Sequence, residues 1–217
     1  MVDLTRGELG SNATPEERWA EASEASGILG MEGRLQFSLP DGFVNATDRE
    51  HLLSVVWAIR TFRPRWLVSA PDPVRHPDHV ATAELVERAA FLARLAELHA
   101  LAPKYLRWEG GAEIPETADL WIVPTVLSVC PANENPSLLF DVTEQWSTKE
   151  DSLHCYASQF QRSEDRRPTM INDGSFLERI QRRARNWGRR AGCQYAEAFC
   201  TSAVPVLHDF PEIEWRS

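Results

Sequence analysis

Five consecutive residues concentrate the chemistry of this chain: Arg75, His76, Pro77, Asp78 and His79. They bring two imidazoles, a carboxylate and a guanidinium together. Neutral imidazole is a good zinc ligand, and a neighbouring carboxylate can orient it. A histidine–aspartate pair can also act as a general acid. Pro77 steers His76 away from helical geometry, which predicts a rigid loop rather than a helix face. The same residues also suit a plainer task, a polar loop that caps the next helix with Asp78 at its start. His51, His99, His154 and His208 have no comparable company and read as helix-surface or tail residues.

A second feature is Thr5-Arg6-Gly7-Glu8-Leu9-Gly10-Ser11-Asn12, followed by Arg18. Its glycines allow a ligand to approach the backbone closely; a flexible loop is the alternative. A third is the arginine cluster Arg179, Arg182, Arg183, Arg185, Arg189 and Arg190. At helical spacing it spreads over more than one face and reads as a solvated helix, with an anion or RNA site as the alternative, the net charge weighing against RNA. Cys130, Cys155, Cys193 and Cys200 form no Cys-x-x-Cys pair. They read as reduced thiols scattered through the packing, with a catalytic or redox cysteine as the alternative.

These residues must be positioned by alternating elements. Val2, Asp3 and Leu4 end a short strand. Thr14-Pro15-Glu16-Glu17 is a capping box with proline at the first helical position, and the helix stops at Gly30. Leu35 and Phe37 lie in a strand that ends at the turn Leu39-Pro40-Asp41-Gly42. A second capping box, Thr47 with Glu50, opens a helix that ends before Pro64. Trp66-Leu67-Val68-Ser69 is a strand, residues 70–79 a loop and 81–100 a helix. Residues 120–129 and 137–142 read as strands, 147–160 and 176–190 as helices, and 161–172 as a loop. Strands alternating with helices imply β-α-β units in a mostly parallel sheet. Ligands of such sheets bind beyond the carboxyl ends of the strands. The loops 5–12, 40–45 and 71–79 should therefore meet on one rim.

Composition sets limits on this reading. The chain has 217 residues, 43% hydrophobic and 25% charged, with a net charge of −9. That is long enough for one domain, residues 1–217, with a full core. The acidic balance disfavours nucleic acid and anionic membranes as partners. No apolar run approaches the ~20 residues of a membrane span, and the first residues lack signal-peptide character, so a cytoplasmic location is expected.

The ordered segments resemble the LmbE/PIG-L family of zinc-dependent N-deacetylases, most closely its bacillithiol-biosynthesis branch. The matching stretches are Asp3-Leu4-Thr5-Arg6-Gly7-Glu8-Leu9-Gly10, residues 25–30 and Leu39-Pro40-Asp41-Gly42. Ile59-Arg60, Arg63-Pro64, the 75–79 loop and Tyr156-Ala157-Ser158-Gln159-Phe160 follow. Gly192-Cys193-Gln194-Tyr195-Ala196-Glu197-Ala198-Phe199 completes the series.

The resemblance implies a Rossmann-like α/β sheet with helices on both faces and zinc on its carboxyl rim. The implied activity is removal of an N-acetyl group from an N-acetylglucosamine conjugate, of the N-acetylglucosaminyl-malate kind. His79 would be a zinc ligand. His76, paired with Asp78, would stabilise the tetrahedral intermediate and protonate the leaving amine. Arg18 and Arg75 would face the substrate, guanidinium gripping carboxylate bidentately, and Tyr195 would lie near the site. Relatives often assemble as homo-oligomers. The family's opening strand and its His-Pro-Asp-Asp motif have no counterpart here, so the first β-α unit is expected to be missing. That motif supplies two zinc ligands and the general base, so this chain is expected to be inactive as written. Loss of a central strand would also leave two unpaired strand edges. The alternative function is a non-catalytic sugar- or carboxylate-binding remnant of the same fold.

Overall fold

The computed structural model describes residues 1–69, 76–100, 102–103, 107–111, 113–131 and 134–204. In chain order the elements are β1 (Val2–Thr5), α1 (Pro15–Ile28), β2 (Gly33–Leu39), α2 (Arg49–Phe62), β3 (Trp66–Ser69), α3 (Pro77–Leu92), β4 (Arg107–Gly110), β5 (Thr125–Val129), β6 (Leu138–Asp141), α4 (Trp146–His154), α5 (Ala157–Phe160), α6 (Phe176–Ala191) and β7 (Ala196–Cys200). The α/β class follows from this alternation. No helix among the described residues is long and apolar enough to cross a membrane.

The strands form two sheets, ordered β1-β2-β4 and β3-β5-β7-β6. The pairs β1–β2 and β3–β5 are parallel. The pairs β2–β4, β5–β7 and β6–β7 are antiparallel. The mostly parallel character expected from alternation therefore holds for the first half of the chain. It fails beyond it because β4 and β7, short strands that sequence periodicity did not reveal, return antiparallel. β1 and β3 each form an edge of their own sheet. Leu4 of β1 and Leu67 of β3 nevertheless pack against one shared cluster that includes Val56, Ile59, Leu85 and Ala89. The two edges thus flank a common core without pairing to each other.

Alternation along β2 puts helices on both faces of the first sheet. Leu35, Phe37 and Leu39 pack with Trp57 and Ala58 of α2. Arg34, on the opposite face, reaches α1. Its guanidinium grips Asp3 of β1 through two bonds of 2.5 and 2.8 Å, and donates to the Ala22 carbonyl, the Ser26 hydroxyl and the Tyr156 hydroxyl. Arg34→Met would strand the Asp3 carboxylate and three acceptors at once. We expect it to cost about 2–4 kcal/mol, read as a fall in the urea unfolding midpoint. An unchanged midpoint would show that solvent substitutes for this network.

Other motif residues are structural as well. Arg60, 2% exposed, donates to the carbonyls of Ala93, Leu95 and Leu98 and so closes the end of α3. Glu21 of α1 accepts from the Ser158 amide and hydroxyl, anchoring α5. The first capping box forms in both directions between Thr14 and Glu17. The second does not: Asp48 caps α2, accepting from the amides of Glu50 and His51, while Thr47 bonds Asn45. The aspartate one residue on is the stronger cap. The helix expected over 147–160 breaks at Cys155 and Tyr156 into α4 and α5.

Candidate functional site on the sheet rim

Hydrogen bonds join the expected loops. Beyond β1, Thr5 and Leu9 donate to the Asp41 carboxylate at 3.4 and 3.0 Å, and the Asp41 amide donates to Glu8. Beyond β2, the amides of Gly42 and Val44 donate to the two oxygens of Asp78 at 2.7 and 3.1 Å. The loops after β1 and β2 and the start of α3 are thus stitched into one surface at the carboxyl ends of β1 and β2. Gly42 (φ +80°) and Gly7 (φ +69°) make the turns that bring these amides inward, a backbone state that disfavours side chains. Residues 70–75, including Arg75, lie outside the described residues.

His76 is not in a free loop. It is the N-cap of α3, Pro77 occupies the first helical turn, and Asp78 and His79 follow on that turn. The plainer capping role therefore operates, with His76 rather than Asp78 as the cap. Proline suits the first turn because its missing N–H costs nothing there. His76 Nδ1 accepts from the Asp78 amide at 3.3 Å. In the neutral ring the proton then sits on Nε2, which becomes a donor. The His76–Asp78 pairing runs through this amide, not through the carboxylate. Both carboxylate oxygens, in a residue 7% exposed, are committed to the loop after β2. Asp78 is a positioning residue in this geometry. Asp78→Asn leaves one acceptor oxygen for two amides. We expect a loss of about 2 kcal/mol in stability and a larger fall in turnover than in stability-matched variants. Equal behaviour of Asn and Asp in both assays would remove Asp78 from the site's architecture.

His79 is exposed on α3 with its ring 5.5 Å from that of His76. Partial burial lowers its pKa, the neighbouring His76 lowers it further, and Asp78 opposes both. The neutral, lone-pair form is therefore favoured near pH 7. Arg18 lies across the rim, its guanidinium against the turn at Gly7. That guanidinium makes no hydrogen bond or ion pair with a described residue. Asn12 exchanges two hydrogen bonds with the Arg167 backbone and draws the 161–175 segment alongside.

Tyr195 packs between α4 and α6. It is 6% exposed, stacked on Trp146 at 4.3 Å, and its hydroxyl contacts Arg185 and Gln181 of α6. The rim also uses residues that sequence reasoning passed over. His51 is buried, not on the helix surface, and its Nδ1 accepts from the Asn45 amide. Its place one helical turn after the Asn45 loop was the available signal. His208 lies outside the described residues. The arginine helix behaves as a solvated surface: Ala184, Trp187 and Gly188 face inward, Arg179 pairs with Asp173, and Arg190 lies over the Trp187 ring.

A catalytic zinc takes three protein ligands and a water. The described rim residues offer the imidazoles of His76 and His79. Among the described residues, three ligand-type side chains close enough to share one ion occur at Cys130, Glu134 and Cys200. The rim set is therefore short of what a catalytic metal needs.

Comparison with known proteins locates this arrangement. Residues 1–90 match the model of the PIG-L family, described as GlcNAc-PI de-N-acetylase. The conserved protein TT1542 from Thermus thermophilus is 31% identical, with a TM-score of 0.75 over 99% of this chain and 84% of that one. Two more distant structures share the fold. The 4-carboxy-2-hydroxymuconate hydratase GalB from Pseudomonas putida is 20% identical, with a TM-score of 0.67 over 96% and 85% of the two chains. The N,N'-diacetylchitobiose deacetylase from Pyrococcus horikoshii is 17% identical, with a TM-score of 0.68 over 92% and 71%. A hydratase and a deacetylase on one fold leave activity to be argued from the site.

Proposed function

The chain belongs to the PIG-L family, and on that premise we propose that its rim takes an N-acetylglucosamine conjugate and hydrolyses the acetamide. Water adds to the amide carbonyl, the C–N bond breaks, and acetate and a free amine leave. The observation that carries this reading is the stitched first turn of α3. Asp78 fixes His76 and His79 against the loop after β2, facing the rim on which Arg18 stands free of described partners. His76, its Nδ1 held as an acceptor and its Nε2–H a donor, suits a hydrogen bond to the oxyanion of the tetrahedral adduct. Arg18 suits a carboxylate on the aglycone, as in a malate conjugate. Family membership supports a metal-dependent hydrolase, and zinc with His79 as one ligand is the metal of this reading.

Two imidazoles do not complete that ligand set. The remaining ligands would come from outside the described residues. On this reading the 217 residues alone are a poor hydrolase. The same shortfall favours a second reading, a non-catalytic binder of sugar or carboxylate.

One experiment separates them. Free-amine release and zinc content are measured on the 217-residue chain and on the protein isolated from its own cells. N-acetylglucosaminyl malate and the methyl glycoside of N-acetylglucosamine serve as substrates. We expect zinc and turnover in the native-cell protein, with malate preferred and that preference lost in Arg18→Ala. Zinc-free, inactive protein from both sources that still binds the malate conjugate would overturn the hydrolase in favour of the binder.

A further inference from the structure

The antiparallel pairing of β5 and β7 places two thiols side by side. Ser128 lies opposite Cys200 and Val129 opposite Phe199, and the Cys130 amide donates to the Ala198 carbonyl at 2.8 Å. Cys130 and Cys200 are thus offset by two residues on neighbouring strands, which puts both side chains on one face of the sheet. The Glu134 amide donates to the Pro131 carbonyl at 3.1 Å, next to Cys130 in the chain. The two sulfurs and a Glu134 carboxylate oxygen all lie within 4.8 Å of one another. In a tetrahedral zinc site with bonds of 2.0–2.3 Å, ligand atoms stand roughly 3.5 Å apart. The cluster therefore needs a small closure, not a rearrangement.

We propose that Cys130, Cys200 and Glu134 form a binding site for a thiophilic divalent cation of the zinc type. Thiolate pairs select such ions over magnesium or calcium. Binding releases the two thiol protons to solvent and forms two metal–sulfur bonds and one metal–oxygen bond. Water can take the fourth position, because Glu134 is exposed and Cys200 half-buried while Cys130 is closed off. Without a cation the Cys130 thiol stays protonated. Burial pushes the Cys130 thiol up to about 12, and the adjacent Cys200 and Glu134 push the same way, partly offset by Arg190. A dication supplies the positive charge that this cluster lacks. The ion would clamp the carboxyl ends of β5 and β7, where the ladder gives way to the β5–β6 connection. The site uses none of the rim residues, and the proposal stands whether or not the rim is a hydrolase.

The test is anaerobic titration of the fully reduced 217-residue chain with Co²⁺, followed by displacement with Zn²⁺. A thiolate-to-cobalt charge-transfer band is expected at one ion per chain, and zinc should abolish it. Cys200→Ser should remove most of the band, Cys130→Ser likewise, and Glu134→Gln should weaken affinity at least tenfold. His79→Ala and Cys193→Ala should leave it intact. Cys200 is only half-buried, so its serine variant is the one expected to keep the fold, which far-ultraviolet circular dichroism verifies. Absence of the band in reduced wild-type protein would overturn the proposal, as would its persistence in folded Cys200→Ser. Thiols consumed in a Cys130–Cys200 disulfide that strong reductant cannot open would overturn it too.

Discussion

His76→Asn is expected to lower amine release by about a thousandfold while leaving the unfolding midpoint almost unchanged. The substitution separates two roles that the structure superimposes on one residue. As the N-cap of α3, His76 uses Nδ1 to accept from the Asp78 amide. Asparagine is among the best residues for that task, since its side-chain oxygen accepts the same bond. The cap survives and the imidazole is lost. Removing one donor to the developing oxyanion typically costs about 10²–10³ in rate, and nothing else about the first turn should move. His79→Ala is the companion. Its side chain makes no hydrogen bond among the described residues, so the fold does not depend on it. Its neutral ring, favoured by burial and by His76, is what a metal or a substrate proton would meet. Both variants are read by kcat on a saturating N-acetylglucosamine conjugate and by urea midpoint, using protein shown to be active beforehand. A His76→Asn enzyme with full turnover would reduce His76 to a cap.

Much of this rim was legible because its signals are local. The capping box at Thr14 and Glu17 forms as the sequence dictates, and the turns at Gly7 and Gly42 sit where glycine interrupts the apolar pattern. The convergence of the loops after β1 and β2 with the start of α3 follows from parallel pairing of the first strands, a topological consequence. What escaped was non-local. β4 and β7 are five residues or fewer, and their partners lie more than fifty residues away along the chain. The Cys130–Cys200 juxtaposition depends on that unforeseen pairing, so the cysteines looked scattered. The destination of the Asp78 carboxylate was equally hidden. Spacing puts it beside His76, but only folding shows two backbone amides of another loop claiming both its oxygens. Tyr195 shows the same limit. Its burial against Trp146 and Ala184 depends on how α4 and α6 pack.

Tyr195→Ala should therefore be among the most destabilising single changes in the chain, at about 3–5 kcal/mol. Against a usual total of roughly 5–15 kcal/mol, that is a large share of the whole. The ring lies flat on Trp146, 4.3 Å between centroids and 10° from parallel, with Ala184 completing the cluster. Removing it opens a cavity between α4, α6 and the start of β7 that backbone relaxation cannot fill. Part of the Trp146 environment is already costly, because the indole Nε1 is buried and finds no acceptor among the described residues. Trp146→Phe sheds that orphan N–H along with some ring area, so it should cost clearly less than Tyr195→Ala. Tyr195→Phe isolates the hydroxyl. It keeps the stack and gives up contacts with Arg185 at 3.2 Å and Gln181 at 3.4 Å, both on α6, for about 1 kcal/mol. Since that hydroxyl points into α6, the KM of the Phe variant should stay within twofold of wild type. A KM raised tenfold at an unchanged unfolding midpoint would instead place the hydroxyl on the substrate, and the stack with Trp146 would then have to open during binding.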